Sequence, residues 1–178
     1  MHDASPNRSL AAWLQALLCS VVLALLAAPA AAQQPATPDP ALSAQDVVEI
    51  QLKALARNDD PAPDAGIAQV WAFAHPDNRA MTGPLPRFAR MIHGANYTHL
   101  IDHRRHEIEA LERADDNALF AVRVLARDGN VYRFIWQVRP ADTDAGQAWM
   151  TTQVTPSRAT GEQMTRLGKA QPSRLQAI

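Results

Sequence analysis

The chain holds 178 residues, with 17 Lys and Arg against 18 Asp and Glu. That balance leaves no basic excess to grip a phosphate backbone, which excludes nucleic acid as the expected partner. Its one cysteine, Cys19, lies in the leader described next, so the mature chain is expected to have no disulfide, thiol nucleophile or thiolate metal site.

Residues 1–32 read as a secretory signal peptide. Arg8 and the amino terminus make a short, weakly positive start, LQALLCSVVLALLAAPA is the apolar run, and Ala30-Ala31-Ala32 supplies small residues for cleavage before Gln33. The alternative is an uncleaved anchor, since the run is nearly long enough to span a bilayer; that is the only membrane association expected. Leu17-Leu18 before Cys19 argue against a lipoprotein. Cleavage after Ala32 sends the protein to a periplasm or the exterior. It leaves about 146 residues, enough for one domain with a modest core, and 16 basic residues (17 less Arg8) against 17 acidic (18 less Asp3).

Residues 33–42, opening with QQPATPDPA, form a Pro-rich tether with little to bury. Ser43 then opens a first helix by capping the amide of Asp46, whose carboxylate favours the helix start. Val48, Leu52 and Leu55 fall on one face. Glu49, Lys53 and Arg57 line a solvated one, with Glu49 N-terminal to Lys53 in the favourable order. Asn58-Asp59-Asp60-Pro61 ends it. Asp64 is the expected cap of a second helix carrying Ile67, Val70, Trp71 and Ala74 at the helical interval. Pro76 is expected to stop that helix at His75, leaving His75-Pro76-Asp77-Asn78-Arg79 as a polar turn. Gly83-Pro84 leads into a third helix with Leu85, Phe88, Ala89 and Ile92 on one face and Gly94 past its end.

Residues 97–113, YTHLIDHRRHEIEALER, admit two readings. A helix would bring His99, His103 and His106 to one side, a geometry that suits a metal. A strand would put His99 and His103 on one face and turn His106 away. No partner ligand is identifiable, so no metal is expected, and the histidines are read as exposed on a polar strand.

Asp115-Asp116-Asn117 turns into the sharpest signal in the chain, NALFAVRVLARDGNVYRFIWQVR over residues 117–139. Both arms are rich in β-branched and aromatic residues. A two-residue Asp-Gly loop would set Val124 beside Arg133 and mix charge with apolar groups on both faces. A three-residue loop, Arg127-Asp128-Gly129 with Gly129 left-handed, moves the register by one. Phe120, Val122 and Val124 then face Trp136, Phe134 and Tyr132, Val138 extends the same face, and Arg123, Arg127, Arg133, Gln137 and Arg139 share the other. One-sided burial selects this second register, with Arg123 opposite Arg133 screened by solvent. Pro140–Gly146 reads as a polar loop; Asp142, Asp144 and Gly146 match part of a calcium loop, but the later acidic ligands are missing. Ala148–Thr155 is the last strand, with Trp149 opposite in direction to Met150, and Pro156 closes it. Residues 157–178 carry few large apolar groups and are expected to form a mobile tail.

Phe73-Ala74-His75-Pro76-Asp77-Asn78-Arg79, Thr82-Gly83-Pro84, Arg87-Phe88-Ala89-Arg90-Met91 and Trp149-Met150-Thr151-Thr152 together resemble the domain of unknown function 4864. The resemblance covers about residues 45–156, within an expected domain over 43–156. One departure is His75, where Ser is expected before Pro. The family resembles the nuclear-transport-factor-2-like superfamily. This implies an α+β cone, three N-terminal helices packed on a curved antiparallel sheet of four to five strands, and it implies strands in residues 97–113. The superfamily includes isomerases, dehydratases, cyclases and hydrolases beside binding modules without catalysis, so fold alone does not assign an activity.

The inward set of the hairpin carries no carboxylate of the kind an isomerase uses as a base. An enzyme of isomerase, dehydratase or hydrolase type would instead use His75, oriented by Asp77, or Tyr132. A binding module would hold a small apolar or anionic ligand among Tyr132, Phe134 and Trp136, with Arg79 or Arg87 meeting an anionic head and His93 at the rim. No cofactor is implied. The outer-face arginines suit an acidic protein partner better than a tight apolar homodimer, and a cone filled by its own side chains would be a structural module.

Overall fold

The computed structural model describes residues 35–160. The expected signal peptide, its cleavage site, and the tail beyond Thr160 lie outside the described residues. Among the described residues, no helix is long and apolar enough to cross a membrane.

The fold is α+β. Four helices come first: α1 (Ala44–Leu55), α2 (Ala65–Ala72), α3 (Pro76–Thr82) and α4 (Leu85–His93), followed by a 3-10 turn at Thr98–Leu100. The strands are β1 (Arg105–Arg113), β2 (Ala118–Leu125), β3 (Val131–Thr143), β4 (Gly146–Val154) and the short β5 (Arg158–Ala159). They form one open antiparallel sheet in the order β1-β2-β3-β4, with β5 also on β3. β3 is its spine. Its first half pairs with β2 and its second half with β4.

The hairpin register is the one that one-sided burial demands. Phe120 pairs with Trp136, Val122 with Phe134 and Val124 with Tyr132, leaving Arg123 opposite Arg133. Gly129 sits at φ 86°, the left-handed region a three-residue loop requires. Phe120, Val122, Val124, Phe134, Trp136 and Val138 are sealed beneath Val48, Leu52 and Leu55 of α1, Ile67 and Val70 of α2, and Phe88 and Ile92 of α4. On the outer face Arg123 pairs with Glu107 of β1, which supplies the counter-charge for the like-charged cross-strand pair. The edge strand β1 is polar and irregular at Leu111, which protects a sheet edge from pairing with another chain.

Helix ends explain the connections. Ser43 and Asp46 cap each other reciprocally at the start of α1. Buried Asn58 then organises the link to α2: its Oδ1 accepts from Ile67 N at 3.1 Å, and its Nδ2 donates to Asp64 Oδ1 at 2.9 Å. Gly66 lets α2 come against α1, for a Cβ there would stand 2.4 Å from the Ala54 carbonyl oxygen.

Several expectations need correction. Asp64 is the residue before α2, but its carboxylate caps nothing there; it takes Asn58 and His93 instead. His75–Arg79 is no turn: Pro76 opens an additional helix, α3, because proline is tolerated at the first helical position, where its missing N–H has no intrahelical partner anyway. Pro140–Gly146 is mostly strand. The turn shrinks to Asp144-Ala145, and Pro140 fits because β3 past Val138 has no β2 neighbour and is an edge there. Residues 97–113 combine a 3-10 turn with a strand, so His99 and His103 do not share a strand face, and His103 is buried rather than exposed. The segment expected as a tail begins with β5, whose Ala159 pairs with Tyr132.

Candidate functional site

Between the helices and the β3–β4 end of the sheet lies a cavity of about 310 Å³. Its floor comes from Trp136 of β3 and from Thr151, Thr152 and Val154 of β4. Its walls come from Val70 and Ala74, from Asn78 and Thr82 of α3, and from Phe88, Met91 and Ile92 of α4, with Tyr97 and Leu100 closing one end. Met81 also lines it and is 75% exposed, which places a flexible thioether at the mouth.

A buried hydroxyl holds this floor together. Thr151 Oγ1 accepts from Gln51 Nε2 at 2.8 Å and from Trp136 Nε1 at 3.0 Å, and it donates to Gln51 Oε1 at 3.1 Å. The Thr151 backbone exchanges bonds with the α2–α3 junction, receiving His75 N at 2.8 Å and donating to Phe73 O at 2.8 Å. Asn78 Nδ2 reaches the Thr151 carbonyl at 3.2 Å, while Asn78 Oδ1 accepts from Thr82 Oγ1 at 3.1 Å. Tyr97 donates to Val154 O at 3.1 Å, and burial pushes its phenol above the usual range, so it stays neutral. None of the lining residues is Asp, Glu, Lys, Arg or His. The wall is therefore uncharged and apolar in the main, with Asn78, Thr82, Thr152 and Gln153 among its polar residues.

Of the candidate catalytic and ligand-binding residues read from the sequence, only Trp136 lines the cavity. Phe134 is sealed in the core beside it. Tyr132 lies at the far end of the hairpin, stacked on His99 with ring centroids 3.6 Å apart and donating to Asp128 at 2.8 Å. His75 is the N-cap of α3, its Nδ1 accepting from Asp77 N at 3.2 Å. Arg79 donates to the Trp71 and Ala72 carbonyls at 2.9 and 2.7 Å and lies over the Trp71 ring, so its guanidinium caps the C-terminus of α2. Arg87 is exposed and reaches only the Gly83 carbonyl, at 3.4 Å. His93 is exposed and bonded to Asp64 at 2.8 Å.

Sequence reasoning missed a second arrangement. His103 Nδ1 lies 2.7 Å from Leu100 O, His103 Nε2 lies 2.8 Å from His106 Nδ1, and His106 Nε2 lies 3.2 Å from Glu49 Oε2. A carbonyl only accepts, so His103 donates through Nδ1 to Leu100; its Nε2 can then accept from His106 Nδ1, and both His106 contacts are donations only when that ring carries a proton on each nitrogen. Burial holds the His103 imidazole below its usual range, against the Leu100 carbonyl that opposes the shift. Burial alone would raise the Glu49 carboxyl, but Lys53 and His106 together outweigh it and hold it low. The three-residue spacing of the two histidines is the only sequence trace of this chain; its third member lies 57 positions away.

The family described as Domain of unknown function (DUF4864) matches residues 38–164. The chain belongs to this family. Among curated proteins and among solved structures, nothing matches. Every residue that lines the cavity lies within the matched stretch.

Proposed function

We propose that this DUF4864 chain is an exported binding module that takes a small, uncharged, mainly apolar ligand into the cavity between α2, α3, α4 and the β3–β4 end of the sheet. The observation that carries the reading is the wall itself: concave, lined by Trp136, Phe88, Ile92 and two methionines, with amides and hydroxyls but no charge. An anionic ligand would lose its hydration there and find no cation in return. A cavity of this volume sits at the lower end of small-molecule sites, which suits a compact ligand rather than a long lipid. General acid–base catalysis most often uses a carboxylate, imidazole or amine, and the wall supplies none; its one titratable group is the Tyr97 phenol, which burial keeps neutral and which donates to Val154 O. Export follows from the expected signal peptide, and a periplasmic or extracellular location with it.

Native mass spectrometry of the protein purified from its own host tests the reading. The expected result is a small-molecule adduct on wild-type protein that is absent from Ala74→Phe, a substitution that fills the cavity. An adduct retained by a folded Ala74→Phe variant would refute the assignment to this cavity.

A further inference from the structure

On the other side of the end of α1 lies a second depression, of about 440 Å³, and its chemistry is the opposite of the first. Lys53 and Arg57 border it from α1 and the turn that follows, Arg104 and Arg105 from the start of β1, and His103 and His106 flank it. The chain as a whole carries a net charge of −1, so four permanent cations around one concavity are a local concentration and not a reflection of overall basicity. Two of the nearby acids are already engaged. Glu49 is held by Lys53 at 3.1 Å and by His106 at 3.2 Å, and Asp102 by Arg127 at 2.9 Å. Arg104 spends one Nη2 on the Arg127 carbonyl at 2.9 Å, which leaves the rest of its fork free. Among the described residues, the exposed Arg57 and Arg105 guanidinium groups have neither a hydrogen-bond nor an ion-pair partner. Lys53 has Glu49 as its counter-ion, but Arg57 and Arg105 have none within the ion-pair distance, and like charges gathered in this way repel one another, a repulsion that a bound anion relieves.

We propose that this depression is a second binding site, separate from the cavity, for a small phosphate-bearing molecule. Two free guanidinium forks can each engage phosphate oxygens bidentately, and Lys53 and the remainder of Arg104 add point charge at the edge. The phosphate can come from a soluble ester or from a lipid headgroup, and the two sources share this recognition chemistry.

The test uses protein produced from the full reading frame, titrated by calorimetry with inorganic pyrophosphate and, separately, assayed by co-sedimentation with phosphatidylglycerol vesicles. The expected result is saturable one-to-one binding of pyrophosphate that weakens as salt rises from about 0.01 M to about 0.15 M, where the screening length falls from about 30 to about 8 Å. Arg57→Gln with Arg105→Gln is expected to weaken it by about tenfold or more, the scale for losing charge-assisted forks. Arg139→Gln, an exposed arginine on β3 outside the depression, is expected to leave it unchanged. Vesicle binding without pyrophosphate binding, lost in the same double variant, supports the site and assigns its phosphate to a lipid. The absence of both, or binding that Arg139→Gln reduces as much as the double variant does, overturns the proposal. Because all the altered side chains are exposed, their loss leaves the core intact, and circular dichroism confirms it.

Discussion

Replacing Thr151 by valine removes one oxygen and keeps the side chain's shape, so it isolates the hydroxyl that ties the cavity floor together. Gln51, Thr151 and Trp136 are 0%, 2% and 1% exposed, which leaves bulk water little access to the groups set free. Gln51 Nε2 keeps its bond to Val47 O at 3.0 Å, so the orphans are its second N–H, its Oε1 and the Trp136 indole N–H. Each buried side chain left unsatisfied costs about 1–3 kcal/mol, so the two together predict a loss of about 3 kcal/mol. At roughly 3–4 °C per kcal/mol for a domain of this size, the melting temperature is expected to fall by about 10 °C. Urea unfolding followed by tryptophan fluorescence measures the loss. A double-mutant cycle with Gln51→Met then decides its origin. With the amide gone, Thr151→Val should cost at least about 1 kcal/mol less, because only the indole is stranded. Additive losses would refute the reasoning, since they would show that the hydroxyl and the amide do not depend on each other.

Three further outcomes follow from other parts of the fold. His75→Ala is expected to cost about 1 kcal/mol through loss of the α3 cap, while His75→Ser should recover most of it; equal losses in thermal melts would count against the capping role. Gly66→Ala is expected to destabilise far more than Gly129→Ala, since the first meets the Ala54 carbonyl at 2.4 Å while the second meets open space and is charged only the left-handed backbone strain, roughly 1–2 kcal/mol; chemical denaturation that ranks them the other way would contradict the α1–α2 contact. Stability should also fall as pH drops below about 6.5, because the buried His103 resists protonation in the folded chain while the unfolded chain accepts it freely, so the unfolded state binds more protons there. His103→Phe is expected to flatten that slope in urea midpoints measured from pH 7.5 to 5.5, whereas the further loss below about pH 4.5, where Glu49 and Asp64 are held low by their partners, should remain.

The hairpin was legible because its information is local. Residues at alternate positions of 117–139 leave only one register in which the aromatic rings share a face, and Gly129 takes the positive φ of the turn at no steric cost. The apolar faces of α1, α2 and α4 were legible for the same reason. What was not legible is where one signal has two structural meanings. Pro76 ends a helix or begins one with equal ease, and only the tertiary placement of His75 N on the Thr151 carbonyl decides that it begins one. Pro140 reads as a loop residue unless it is known that β2 has already ended beside Val138. His103 looked exposed because a strand over 97–113 would have alternated it outward, while the 3-10 turn at Thr98–Leu100 turns it inward onto the Leu100 carbonyl.

The candidate catalytic residues fell away from the cavity for a connected reason. Helices α2, α3 and α4 have 8, 7 and 9 residues, and a helix leaves four N–H and four C=O groups without intrahelical partners at its two ends. In elements this short nearly every backbone polar group belongs to an end, so the demand for capping side chains is greatest where the three helices crowd around the cavity. His75 answers it at the start of α3 and Arg79 at the end of α2. Ser is expected at position 75, and Ser is the residue a helix start prefers, so histidine there keeps the capping role through Nδ1. The polar motif His75-Pro76-Asp77-Asn78-Arg79 that drew attention as a catalytic rim thus spends its imidazole and its guanidinium on the backbone. Asn78, the one uncharged member whose side chain turns to the cavity wall, is what the motif offers a ligand.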